Sequence, residues 1–148
     1  MSNDPKLRPL QDPLEESLGY QLRRASLVTL AALSQAFETL GLRPTEAIMI
    51  RFIEANPGCN QAEIGRALGV QRTNLVPIVA GLVDAGLITR KSADGRTHAL
   101  YLTQEGASLH GRIARAAQEN ETHFFGDIDD EDRAVMLRIL QTIREKAR

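Results

Sequence analysis

The sequence predicts a mainly α-helical protein with one small β-hairpin, and three observations carry that expectation. Apolar residues recur three and four apart along six stretches, the mark of helices with one buried face. Start and stop signals bracket those stretches, with Asn60, Thr103 and Asp129 at starts and Gly41, Gly69 and Gly86 at stops. A single segment, "LITRKSADGRTHALYLT", has instead the pattern of two strands about a glycine-containing turn.

Residues 1–13 hold Pro5, Pro9 and Pro13 among polar neighbours and are expected to form a mobile tail. From Leu14 to Leu40 no proline interrupts a stripe of Leu18, Leu22, Leu27, Leu30, Leu33 and Phe37. A helix of that length, about 40 Å, outruns a small domain and invites a partner. "RPTEAIMIRFIEANPG" follows, with Pro44 suited to a first helical turn and Ile48, Met49, Phe52 and Ile53 expected inward. "NQAEIGRALG" begins at an Asn60 cap with Glu63 placed for a capping box, directs Ile64 and Leu68 to the core, and stops at Gly69.

The next helix, from Gln71, breaks two rules. Leu75, Ile78, Val79 and Leu82 define its buried face, yet Pro77 and Gly81 stand in its middle. An interior proline costs about 3 kcal/mol and a glycine about 1 kcal/mol. Leu87–Ser92 and Thr97–Leu102 then read as strands around Ala93-Asp94-Gly95. Two further helices follow, capped by Thr103 and Asp129. Val135, Leu137, Ile139, Leu140 and Ile143 give the last one an apolar stripe.

Helix, helix, tight turn, helix, hairpin is a winged helix-turn-helix. The expected organisation is a DNA-binding unit over 41–103, with 14–40 and 104–148 forming a helical dimerisation region.

Composition narrows the function. The 148 residues are 43% hydrophobic, enough for a folded core, and no run of about 18 apolar residues would span a membrane. The first residues lack the apolar segment of a secretory signal, so a cytoplasmic location is expected. A lone cysteine, Cys59, excludes an internal disulfide and a cysteine-rich zinc site. His98, His110 and His123 lack metal-ligand spacing, and no nucleophile–base set or phosphate loop is present, so neither a metal, a cofactor nor an enzyme is expected. The net charge of −1 is segregated. Residues 61–103 carry five Arg or Lys against three Asp or Glu, whereas 119–132 carry seven acids and no Arg or Lys. Only the first region favours a polyanion.

The segments "GVQRTNLVPIVAGLVDAGLITR" and "SADGRTHALYLTQEG" resemble the MarR family of bacterial transcription regulators. Gly69, Val70, Arg72, Asp84, Gly86, Leu87, Ile88, Arg90, Asp94, Arg96, Leu102, Thr103 and Gly106 fall on its G-V-x-R, acid-x-G-L-I-x-R, D-R-R and L-T-x-x-G patterns. Gly95 departs, standing where the family carries the first arginine of D-R-R. The resemblance implies a homodimer on a pseudo-palindromic duplex, answering to a small molecule.

The residues suit that role. With Leu75, Val79 and Leu82 inward, steps of about 100° turn Thr73, Pro77, Ala80 and Asp84 outward, flanked by Asn74, Val76 and Gly81. This face is small, and mostly uncharged at its N-terminal half, fit for a major groove about 12 Å wide. Gln71 opens the helix. Asn74 suits adenine, Thr73, Val76 and Pro77 suit thymine methyls, and Arg72 suits guanine or phosphate. Proline and glycine are tolerable where bulk would hold the helix off DNA; the alternative is a kink remote from DNA. In the wing, Arg96 beside Asp94 suits a narrow minor groove, and Arg90, Lys91 and His98 suit phosphates.

The resemblance also implies an effector site where the first and fifth helices meet the DNA-binding unit. Arg23, Arg24 and Arg51 are the cations near that junction, and an anionic aromatic ligand would need one such guanidinium. Their alternative is plain solvation. "LGYQLRR" and "QRTNLVP" are similar to the branch of the family controlling aromatic-acid degradation. The expected function is a ligand-responsive repressor. The competing possibility is a winged-helix module for protein–protein contact that binds no DNA.

Overall fold

The computed structural model describes residues 10–92, 95 and 97–146. Most of the expected tail, and Ala93, Asp94 and Arg96 at the hairpin tip, lie outside the described residues. The elements occur in the expected order: α1 Leu18–Glu38, α2 Pro44–Ala55, α3 Gln61–Leu68, α4 Arg72–Asp84, β1 Ile88–Ser92, β2 His98–Leu102, α5 Gln104–Phe125 and α6 Asp130–Glu145.

α1 starts four residues later than its sequence suggests. Asp12 Oδ1 accepts the Leu14 N–H at 2.9 Å, and the Leu14 carbonyl accepts the Ser17 N–H at 2.9 Å, so a turn occupies the place of the first helical turn. Its 21 residues span about 32 Å. Phe37 is the one buried residue on α1, while Leu22, Leu27 and Leu30 are 42%, 55% and 56% exposed. The stripe therefore covers the core only at its C-terminal end.

α2 runs through the centre, against α1, α4, α5 and β2. Covered on several sides, it buries Ala47, Met49, Ile50 and Ile53, whereas Ile48 and Phe52 are half-buried. An expectation of one inward stripe misses Ile50. Leu75, Val79 and Leu82 from α4, Ile88 and Leu100 from the hairpin, and Ile113 from α5 complete the core.

The caps form as the sequence suggests. Asn60 Oδ1 accepts the Glu63 N–H at 3.0 Å while Glu63 Oε2 accepts the Asn60 N–H at 2.8 Å. Asp129 Oδ1 accepts the Asp132 N–H at 2.8 Å. Gly69 closes α3 at φ +66°, a left-handed conformation that a side chain would strain. The helix-turn-helix crossing is tight: a Cβ on the buried Gly65 would meet the Val70 carbonyl oxygen at 3.1 Å and Leu75 Cδ1 at 3.3 Å.

β1 and β2 pair antiparallel, Ile88 with Leu102 through Ser92 with His98. Each strand is one residue shorter than expected at its N-terminal end. Thr103 joins this hairpin to α5. Its Oγ1 accepts the Gly106 N–H at 3.0 Å and donates to the Gly86 carbonyl at 2.6 Å, and its backbone N–H donates to the Leu87 carbonyl at 3.1 Å.

Candidate nucleic-acid interface

α4 presents the predicted outward face. Gln71 caps the helix in an extended conformation rather than lying within it. Arg72, Thr73, Asn74, Val76, Pro77 and Gly81 are all exposed, and Val76 keeps 49% of its surface in water. Leu75, Val79 and Leu82 behind them are at most 2% exposed. Ile78 and Ala80 are half-buried, so the open face narrows toward the C-terminal end. The helix stays continuous through Pro77. A proline there leaves the Thr73 carbonyl without its usual donor four residues on. The buried leucines and valine hold the helix from behind, and Gln61 Nε2 donates to the Arg72 carbonyl at 3.2 Å, tying its first turn to α3.

The wing's register sorts its polar residues. Arg90, Ser92 and His98 share the face that buries Ile88 and Leu100, while Thr89, Lys91, Ala99 and Tyr101 share the other. Arg90, Lys91 and His98 are exposed; Asp94 and Arg96 lie outside the described residues. Ion pairs among the described residues join Arg24 to Asp12, Arg43 to Glu46 and Arg133 to Glu121. None falls on α4 or the wing, so the charges of Arg72, Arg90 and Lys91 are not neutralised by a described carboxylate. Exposed cations beside a groove-sized helix face that is uncharged from Thr73 to Gly81 suit a polyanion.

The effector-site candidates and the histidines come together less. Arg23 and Arg24 are exposed on the first half of α1, and Arg51 is exposed on α2. Arg24 lies 3.5 Å from Asp12 and stacks over Tyr20 at 5.7 Å. His98 and His123 are exposed and His110 half-buried; no group of three metal-ligating side chains occurs among the described residues. Burial, then the Glu63 charge, pushes the Cys59 thiol up, which disfavours the reactive thiolate.

Comparison with known proteins narrows the family. Residues 40–96, from just before α2 into the wing, match the MarR family model. The transcriptional repressor Rv2887 of Mycobacterium tuberculosis is 32% identical over 105 residues, covering 68% of this chain and 76% of that protein. The chain belongs to the MarR family. Its fold is shared by the transcriptional repressor CouR bound to a 23-mer DNA duplex, at 30% identity and a TM-score of 0.83, covering 93% of this chain and 99% of that one. CouR bound to p-coumaroyl-CoA aligns at 30% identity and 0.78, over 93% and 98% of the two chains. Rv2887 in complex with salicylic acid aligns at 26% identity and 0.67, over 85% and 95%. Among the described residues, no helix of this MarR-family chain is long and apolar enough to cross a membrane.

Sequence reasoning placed Gly106 by its family pattern alone and gave no role to Gly65 or Tyr101. The two glycines sit where helices or strands touch backbone to backbone, and only Gly106, in its L-T-x-x-G pattern, carried a signal.

Proposed function

We propose that the protein is a homodimeric, ligand-responsive DNA-binding transcription regulator, acting as a cytoplasmic repressor without catalytic activity. The observation that carries this is the α4 face: small, exposed and uncharged from Thr73 to Gly81, on a helix whose opposite side buries Leu75, Val79 and Leu82. Gln71, Arg72, Thr73, Asn74, Val76 and Pro77 enter the major groove, and the wing supplies Arg90, Lys91, Asp94, Arg96 and His98 along the minor groove and phosphates. Filter binding of genomic fragments at two salt concentrations tests it. Retention should fall steeply with salt, and footprinting should reveal an imperfect palindrome with half-sites about 10 bp apart. No retention even at low salt would favour the protein-contact alternative.

Dimerisation rests on α1 with α6, where Met136, Leu137, Ile139 and Ile143 are exposed like the leucines of α1. Residues 14–40 and 104–148 form that interface, and 41–103 the DNA-binding unit. Sedimentation at micromolar concentration should give a dimer; a monomer there would contradict it.

The effector is a small anion with an aromatic ring, free or as its coenzyme A thioester, taken near Arg23, Arg24 and Arg51. The supporting likenesses are to CouR with p-coumaroyl-CoA and Rv2887 with salicylic acid. One of these two probes should weaken duplex binding by about tenfold, a coupling typical of such regulators.

Pro77 separates groove contact from a remote kink. Pro77→Ala restores a backbone donor, so melting should not fall and duplex affinity should change modestly. Pro77→Arg adds a side chain able to bind guanine or phosphate, so sequence preference should shift. Wild-type affinity and selectivity in both, by competition against a scrambled operator, would remove Pro77 from the groove.

A further inference from the structure

The outer face of the wing carries a pair that the recognition helix does not explain. Lys91 Nζ lies 4.8 Å from the centroid of the Tyr101 ring. Lys91 stands directly across from Ala99, and Tyr101 is two residues further from the hairpin tip, so the two are diagonal neighbours on one face. The ring draws the ammonium back from the tip toward the base of the wing.

The ring is itself held. The loop before α3 lies along the free edge of β2: the Gly58 N–H donates to the Leu100 carbonyl at 2.9 Å, and the Leu100 N–H donates to the Cys59 carbonyl at 2.9 Å. Gly58 has φ +87°, and a Cβ on it would come within 2.9 Å of the Tyr101 hydroxyl oxygen. The loop backbone thus lies close against the hydroxyl end of the ring, and Tyr101 is half-buried.

Arg90 is on the opposite face of the same strand, one residue away. A minor groove about 6 Å wide has a phosphate wall on each side. We propose that Tyr101 is a positioning residue for DNA binding: it fixes the Lys91 ammonium on the outer face of the wing, so that Lys91 meets one phosphate wall while Arg90 meets the other. This rests on the duplex binding proposed above. A loose lysine would have to give up rotamer freedom on reaching DNA, and the stacked ring removes part of that cost before DNA arrives.

The test uses the whole chain and a random-sequence duplex of about 30 bp, enough for a dimer with half-sites about 10 bp apart. Affinity is measured by anisotropy between about 50 and 200 mM salt. Lys91→Ala should lower the slope of log K against log salt by about 0.9 for each phosphate that the ammonium no longer neutralises. Tyr101→Phe should bind like the wild type, because the ring face remains. Tyr101→Leu should weaken binding about threefold per subunit, and the same change should add nothing in the Lys91→Ala background. An equal effect of Tyr101→Leu in both backgrounds, or none in either, overturns the inference. A measurement without substitution guards against misfolding of the leucine variant: the Lys91 ε-methylene protons should be shifted upfield by the ring in both free and duplex-bound protein, and disappearance of that shift on binding overturns it too. Failure of the wild type to bind duplex overturns the regulator function itself, whereas normal wild-type binding with additive variants removes only Tyr101's role.

Discussion

Gly106→Ala is expected to abolish cooperative folding or lower stability by at least about 3 kcal/mol, the upper end of the usual cost of overpacking. The added methyl would lie 2.0 Å from the Leu87 carbonyl oxygen and 3.0 Å from its carbon. Those are backbone atoms, and they cannot swing aside as a side-chain tip can. The Leu87 carbonyl also accepts the Thr103 N–H, and Thr103 caps α5 through the Gly106 N–H. Moving α5 away from Leu87 would therefore break either the cap or the joint between wing and helix. Urea unfolding followed by circular dichroism checks it. A midpoint within experimental error of the wild type would mean that α5 does not press on the Leu87 backbone.

Val76→Glu should leave the fold intact and remove duplex binding. Val76 is 49% exposed on α4 and packs little, so stability should move by no more than about 0.5 kcal/mol. In the groove the same carboxylate would face phosphates and base acceptors, and Arg72, one helical turn back, would be drawn to it and away from DNA. Like charges brought together at an interface cost several kcal/mol, and a dimer carries the change twice. Affinity should fall by at least about 100-fold, measured by anisotropy at low salt with melting as the control. Retained affinity would mean that another face of α4, or another element, meets DNA.

What the sequence made legible was what short-range chemistry controls. Asn60 with Glu63, Thr103 and Asp129 cap helices through bonds spanning three residues, so their spacing alone reveals them. The outward face of α4 followed from helical geometry, since Leu75, Val79 and Leu82 could point only one way. Features set by distant contacts stayed hidden. Ile50 is buried because α2 is enclosed by α1, α5 and β2 together, which one helix's stripe cannot foretell. Gly65 looks like a weak point in a short helix until Val70 and Leu75 close over it. The pairing of Gly58 and Cys59 with Leu100 links residues some forty apart, and neither segment signals the other. α1 begins late because Asp12 captures the Leu14 N–H, a local competition that an uninterrupted leucine stripe obscured.

Hydroxyl-radical footprinting of the wild-type dimer on a captured genomic fragment examines the proposed contacts of α4 and of the wing at once. Binding through α4 and the wing should protect two segments related by two-fold symmetry, centred about 10 bp apart, with flanking minor-groove protection from each wing. Val76→Glu should erase the whole pattern. A single asymmetric protected segment, or a pattern unchanged by Val76→Glu, would contradict recognition by the α4 face.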